Sequence, residues 1–249
     1  MDLLKGKVAV VTGVNRGIGL AISEIFMFQG ASVIGVIRSK NDPFKEQFEQ
    51  MALKHGVDAK LYYADFSDES EVVSTAKIIA KENKKIDILV NNIGQANSLC
   101  SFSMTKMETF KKVFDVNFFS SMAFTQVISR IMMRAKAGSI VFISSSAAYD
   151  GGANIEYSAS KAAIIGAMRK LAIDLGAFGI RVNAIAPGLT STDMGNSMSE
   201  EDEKIAMSLN VMKRKARPEE IANAVAFLGS DLSSFITKQV ICVDGGLLK

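Results

Sequence analysis

Short apolar runs alternate with stretches of helical spacing along the whole chain. The runs occupy residues 7–12, 32–37, 59–63, 86–90, 140–143, 180–186 and 239–243, and most are rich in Val and Ile. Between them, apolar positions recur three or four apart over 17–29, 44–55, 68–83, 106–134, 157–178 and 218–228, with a shorter helical pattern at 200–209. Strands that alternate with helices in this way predict an α/β fold: a single-domain, doubly wound, seven-stranded parallel sheet of Rossmann type with helices on both faces, spanning 1–249. The helix starts carry further signals. Asp68-Glu69-Ser70-Glu71 and Thr105-Lys106-Met107-Glu108 both have capping-box spacing, Pro218 opens a helix, and Gly179 closes one. Residues 189–212 are rich in Ser, Thr, Met and acids and predict a mobile substrate lid.

Several strand ends carry polar or glycine-rich segments, and ligands bind at the carboxyl ends of strands in such sheets. The first strand opens into Gly13-Val14-Asn15-Arg16-Gly17-Ile18-Gly19 and then a helix. Glycines allow the backbone to approach closely, and a helix amino terminus offers free N–H groups and a positive dipole end, so this loop is a candidate pyrophosphate cradle. Its Gly-x-x-x-Gly-x-Gly spacing differs from the common dinucleotide fingerprint. The second strand ends in Ile37 and Arg38, without the acid that would bind a free ribose 2′-hydroxyl. Asp65 at the third strand's end is either an adenine acceptor or a neighbour of the next helix cap. Asn91-Asn92-Ile93-Gly94 follows the fourth strand. Asn117, alone among large apolar residues, must find hydrogen-bond partners or cost about 1–3 kcal/mol.

The densest chemistry lies between Ile140 and Lys161. A strand ends in Ser144-Ser145-Ser146, and Tyr157 and Lys161 follow on one helix, four positions apart and therefore on one face. Such a pair, taken alone, is more often a solvated surface pair. Converging with a strand-end serine, it is a proton-transfer site. Moving a phenol from a pKa of about 10 to 7 needs about 4 kcal/mol, and a positive charge about 4 Å away supplies that much at an effective dielectric of about 20.

Composition narrows the field. The 29 basic and 26 acidic residues leave a formal charge of +3 without a basic block, which points away from nucleic acid and anionic membranes. Cys100 and Cys242 lie in unrelated segments and His55 stands alone, so neither a disulfide, a metal site nor a Ser-His-Asp triad is expected. No apolar run suits a signal peptide or a membrane span, and a soluble cytoplasmic protein is expected.

Taken in order, Thr12-Gly13-x-x-x-Gly17-Ile18-Gly19, Asn91-Asn92-Ile93-Gly94, Asn117, Ser144, Tyr157-x-x-x-Lys161 and Pro187-Gly188 resemble the short-chain dehydrogenase/reductase family over nearly the whole chain. Within it, residues 181–188 and the ending Val243-Asp244-Gly245-Gly246 look most like the β-ketoacyl-(acyl carrier protein) reductases. The resemblance implies that Tyr157 protonates a carbonyl oxygen while hydride arrives from a nicotinamide, that Ser144 holds that oxygen, that Lys161 lowers the phenol pKa and binds ribose hydroxyls, and that Asn117 holds a linking water. It also implies cofactor contacts from Gly13, Asn15, Arg16, Gly17, Ile18, Gly19, Arg38, Asp65, Phe66, Asn91, Gly94, Pro187, Gly188, Thr190 and Thr192, besides Tyr157 and Lys161. Ile93 stands where Ala is usual and Lys238 where Gly is usual.

The expected activity is reduction of a ketone, such as a 3-oxoacyl thioester or similar β-keto substrate, to a secondary alcohol with NADPH, the 2′-phosphate lying between Arg16 and Arg38. Alternatives are another small ketone, sugar or steroid alcohol, and, in a different class, a non-catalytic dinucleotide-binding regulator. A sugar-nucleotide epimerase fits less well in glycine spacing and length. The family's two basic carrier-docking positions fall on Lys136 and Phe178, of which one is basic, so acyl carrier protein is a doubtful partner. The helices at 106–134 and 162–178 are apolar around much of their circumference and predict pairing of copies, which the resemblance extends to a homotetramer.

Overall fold

A computed structural model describes residues 2–97, 99–195 and 200–247. Seven parallel strands form one sheet: β1 (Val8–Thr12), β2 (Ser32–Ile37), β3 (Ala59–Tyr63), β4 (Ile88–Asn91), β5 (Gly138–Ile143), β6 (Ile180–Pro187) and β7 (Val240–Val243). Their order is β3-β2-β1-β4-β5-β6-β7, so the winding reverses between β1 and β4, and the crevice for a ligand opens at the carboxyl ends there.

The helices are α1 (Gly17–Phe28), α2 (Asp42–Lys54), α3 (Glu69–Glu82), α4 (Met107–Phe114), α5 (Ser120–Ala135), α6 (Ala147–Asp150), α7 (Ile155–Gly176), α8 (Glu200–Ser208) and α9 (Pro218–Gly229). Strand alternation sends Val10 into one core with α3, α5 and α7, and Ala9 and Val11 into the other with α1, α2 and α9. Both faces of the sheet are thus covered, which explains strands that read as unbroken apolar runs.

Caps set the helix starts. Asn41 accepts the Phe44 N–H at 3.1 Å, and Asp68 accepts those of Ser70 and Glu71 at 2.9 and 3.2 Å. The box expected at Thr105 does not form: α4 starts after Lys106 without a side-chain cap, and the Thr105 hydroxyl donates to the Ser101 carbonyl. The helix expected to run unbroken over 106–134 is also interrupted, by a π turn over Asp115–Phe119. That wider turn holds Asn117, fully buried, where a polar group disturbs the regular ladder. No helix among the described residues is long and apolar enough to cross a membrane.

Candidate active site

The floor of the crevice is built where β1, β4 and β5 end. Asn92 braces the first two, its amide donating to the carbonyls of Thr12 and Gly13 at 2.8 and 3.3 Å, while the Thr12 hydroxyl accepts the Asn92 N–H at 3.0 Å. Gly13 takes a φ of +74°, and a β-carbon on it would lie 2.9 Å from the Asn92 amide. On Gly19 a β-carbon would lie 2.0 Å from the Gly13 carbonyl oxygen. Only glycine fits this tight passage into α1, and Arg16, at the helix N-cap, makes no side-chain cap. The first-turn N–H groups are therefore left for an external anion, which is what a pyrophosphate needs.

Lys161 is 3% exposed and donates from Nζ to the Ile143 carbonyl at 2.9 Å, with its ammonium 5.6 Å from the centre of the Tyr157 ring. A β-carbon on Gly94 would stand 2.9 Å from Nζ, so glycine is needed for the strand end to pass the lysine. Burial lowers the Lys161 pKa from 10.5 to about 8. Burial also pushes the Tyr157 phenol up, and its hydrogen bond with the Ser145 side chain pulls it part of the way back. The expected lowering of the phenol by Lys161 does not outweigh burial here: the ammonium bonds a backbone carbonyl, and desolvation dominates the phenol.

A correction concerns the serine. Ser144 is buried and its hydroxyl donates to the Lys161 carbonyl at 2.9 Å, tying β5 to α7 from beneath. Ser145, the next residue, meets the Tyr157 hydroxyl. Successive side chains at a strand end point opposite ways, and counting from Tyr157 alone does not resolve a shift of one residue.

Asn117 finds the hydrogen-bond partners that its burial requires. Its Oδ1 accepts the Gln95 N–H at 2.8 Å, and its amide donates to the Gln95 carbonyl and the Ser160 hydroxyl, each at 3.0 Å. The side chain fastens the segment after β4 to α7 with both amide hydrogens and one lone pair of Oδ1. Two residues that sequence reasoning did not single out continue this fastening. Asn154 accepts the Cys100 N–H at 2.9 Å and donates to the Asn97 carbonyl at 3.1 Å, and Glu156 accepts from the Asn97 amide at 3.3 Å. The one hint was positional: a capping-type residue and an acid at a helix amino terminus.

Other expected cofactor positions divide. Asn15 and Arg16 are exposed on the cradle, and Ile18 is half-buried beside Gly17. Arg16 pairs with Asp193 at 3.1 Å, and Arg38 lies 3.8 Å from Asp65, so neither guanidinium stands free. Asp65 accepts from the Ser67 N–H and hydroxyl, and these bonds hold its carboxyl below the usual range. Asn91 is buried and donates to the Thr125 hydroxyl, with its Oδ1 unpartnered. The ring of Phe66 packs in the core against Phe124 and its carbonyl accepts from Ser120, so a cofactor contact there falls to its backbone N–H.

The far wall is the segment after β6. Pro187 accepts the Ser146 N–H, and a β-carbon on Gly188 would lie 2.7 Å from Asp244. The Thr190 hydroxyl donates to the Gly188 carbonyl at 3.0 Å, and the Thr192 methyl lies 3.2 Å from where a β-carbon on Gly17 would be, closing this wall on the cradle. Residues 196–199 of the expected lid lie outside the described residues. Met194 before them is exposed; beyond them Lys215 pairs with Glu203 at 2.6 Å, Asn210 donates to the Asp244 carbonyl, and Ile205, Leu209, Val211 and Met212 are exposed. Among the described residues no cluster of His, Cys, Asp and Glu suits a metal.

Residues 13–248 match the family model described as enoyl-(acyl carrier protein) reductase. The chain is 37% identical over 246 residues to a 3α-hydroxysteroid dehydrogenase of Mediterraneibacter gnavus, covering 98% of this chain and 97% of the relative. It is 34% identical to the 3-oxoacyl-[acyl-carrier-protein] reductase of Thermotoga maritima, covering 98% and 99%. Among solved structures, a 7α-hydroxysteroid dehydrogenase complexed with NADH and 7-oxo glycochenodeoxycholic acid superposes with a TM-score of 0.90 at 33% identity, over 99% of this chain and 97% of that one. A Beutenbergia cavernae protein proposed as an NAD(P)-dependent gluconate 5-dehydrogenase, with bound NADP, gives 0.91 at 31% identity, over 98% of each chain.

Proposed function

Since the chain belongs to the short-chain dehydrogenase/reductase family, we propose that it is an NADPH-dependent reductase of a ketone, of which a 3-oxoacyl thioester or a similar β-keto compound is the first choice. The observation that carries this reading is the meeting of Tyr157, Ser145 and Lys161 at the carboxyl end of β5, above glycine passages that fit a dinucleotide. A bound nicotinamide supplies the hydride. The chain supplies the proton: the Tyr157 phenol donates to the carbonyl oxygen, the Ser145 hydroxyl holds that oxygen, and the Lys161 ammonium stabilises the phenolate left behind. Ser144 and Asn117 act beneath, as braces. A non-catalytic regulator has no use for a buried proton donor.

The 2′-phosphate is assigned to Arg16 and Arg38, each of which must exchange a carboxylate partner for it. Both are exposed, so a preference for NADPH on the order of a hundredfold is expected. The apolar side chains exposed on the lid suit an apolar substrate, and this favours the steroid ketone as the second reading. With one basic carrier-docking position, Lys136, carrier-linked and coenzyme A-linked thioesters are expected to react about equally. The deciding assay is cofactor-dependent reduction of keto thioesters and keto steroids, with both NADPH and NADH. Tyr157→Phe should lower turnover about 10³-fold while cofactor binding, read by fluorescence, persists. A tenth of wild-type turnover in that variant would reject the proton donor, and equal use of NADH would reject the arginines' role.

We also assign a second copy to the outer faces of α7 and of α5 with the π turn before it, where Ile173 and Phe119 are more than half exposed, and a homotetramer to the full assembly. A monomeric mass by light scattering at micromolar concentration would contradict this.

A further inference from the structure

Glu156 is 2% exposed, yet its partners do not account for a buried carboxylate. One oxygen accepts a single hydrogen bond, at 3.3 Å, from the amide of Asn97, and the other is buried without a partner among the described residues. No cation pairs with it in the described structure. Burying such a group costs more than burying an apolar side chain of the same size, so stability of the fold is not what calls for it. Its position is favourable in one respect: it lies in the first turn of α7, where the helix dipole suits an anion.

What the carboxylate does touch is the loop that follows Gly94, whose backbone passes the Lys161 ammonium. That loop is held at three places, once from the π turn and twice from the head of α7. Asn117 fixes Gln95 by two backbone bonds, Asn154 fixes the Asn97 carbonyl and the Cys100 N–H, and Glu156 fixes the Asn97 side chain. Glu156 and Asn154 stand one and three residues before Tyr157. The loop itself is exposed at Asn97 and Cys100, so little apolar burial holds it. Its position relative to the tyrosine therefore depends on these polar bonds.

We propose that Glu156 is a positioning residue that fastens the 95–100 loop against the head of the catalytic helix through Asn97, and so governs substrate binding rather than proton transfer. The part about substrate rests on the reductase reading; the fastening does not. Glu156 acts on substrate only through the loop. Loss of one such bond corresponds to about a tenfold change in the loop's opening equilibrium.

Glu156→Leu removes the acceptor at similar volume, and Glu156→Gln keeps it. Hydrogen exchange over residues 95–101 should quicken about tenfold in Glu156→Leu and return to within about twofold of wild type in Glu156→Gln. Tm should not fall in Glu156→Leu, because the buried charge is gone. With a reduced ketone in hand, KM should rise about tenfold in Glu156→Leu with kcat within about twofold, and Glu156→Gln should restore it. Unchanged loop exchange in Glu156→Leu would overturn the fastening whatever the enzyme's substrate is, as would a Tm loss with exchange quickened throughout the protein. A fall in kcat at constant KM would overturn the role in binding. A wild type that reduces no ketone would count against the reductase reading, while the exchange measurement would still decide the fastening.

Discussion

Where helix returns to strand at the amino ends of the sheet, left-handed residues make the turns: Gly30 before β2, Gly56 before β3, Gly179 before β6, and Lys136 and Lys238 before β5 and β7. Around the carboxyl ends buried polar groups gather, namely Asn91 in β4, Ser144 after β5, Asn117 in the π turn and Lys161 in α7, each no more than 3% exposed. The amino ends face a problem of chain reversal, which glycine answers at no cost in function. The carboxyl ends carry desolvated groups that a fold alone would replace with apolar ones. Substitutions should therefore divide by end: at the carboxyl ends stability and activity move in opposite directions or independently, and at the amino ends stability moves alone.

The largest effect should separate two adjacent serines. Ser145→Ala removes the hydroxyl beside Tyr157 and should lower kcat by about 10²–10³-fold with little change in Tm. Ser144→Ala removes a buried bond to the Lys161 carbonyl and should cost about 1 kcal/mol of stability while leaving kcat within about an order of magnitude. Chemical denaturation and steady-state kinetics on both variants test the contrast. The reverse pattern would restore Ser144 to the oxygen and undo the distinction between brace and donor.

These serines also show what the sequence could reveal. Seven strands were legible because each is a short β-branched or apolar run bounded by turn residues and most are buried on both faces, the edge strands β3 and β7 being partly exposed. Tyr157 and Lys161 were legible because helical geometry fixes residues four apart. A strand end has no such constraint, and one residue of register moves a hydroxyl from the crevice to the helix behind it. The π turn at Asn117 has no periodic signature, for it adds one residue to an otherwise ordinary helix. Asn154 and Glu156 act through a loop whose pattern is irregular, so their contacts depend on tertiary placement alone. Pairing of Arg16 with Asp193 joins residues on distant segments and was invisible for the same reason.

Lys161 should show the opposition of function and stability most directly. Burial lowers its pKa from 10.5 to about 8, so between those values the unfolded chain binds the proton more readily than the native one. Stability then rises with pH across this window, and below about pH 8 the full penalty is present, which is about 3 kcal/mol. Lys161→Met should abolish reduction, remove this group's share of the rise between pH 8 and 10.5, and be more stable than wild type at pH 7. Denaturant melts of both proteins at pH 7, 9 and 10.5 give the difference. A Lys161→Met protein less stable than wild type at pH 7 would mean that the bond to the Ile143 carbonyl outweighs desolvation.

The smallest effect lies at the opposite end. Lys238 holds a φ of +64° in the turn before β7, where its N–H donates to the Val182 carbonyl at 2.7 Å. Its side chain is exposed, so the left-handed backbone is maintained by the turn rather than by contacts of the lysine. For a residue with a β-carbon that conformation costs about 1–2 kcal/mol, and glycine avoids it while losing about 0.5–1 kcal/mol more chain entropy on folding. Lys238→Gly should therefore stabilise by about 0.5–1 kcal/mol, raising Tm by about 1–3 °C in a chain of this size. The backbone bond to Val182 survives the change, and nothing at the crevice touches the turn. kcat and KM should stay at wild-type values, and the pH profile of Lys161 should be unmoved. A Tm that falls would show that the lysine side chain holds the turn, and an altered KM would show that the two ends of the sheet are coupled through β7.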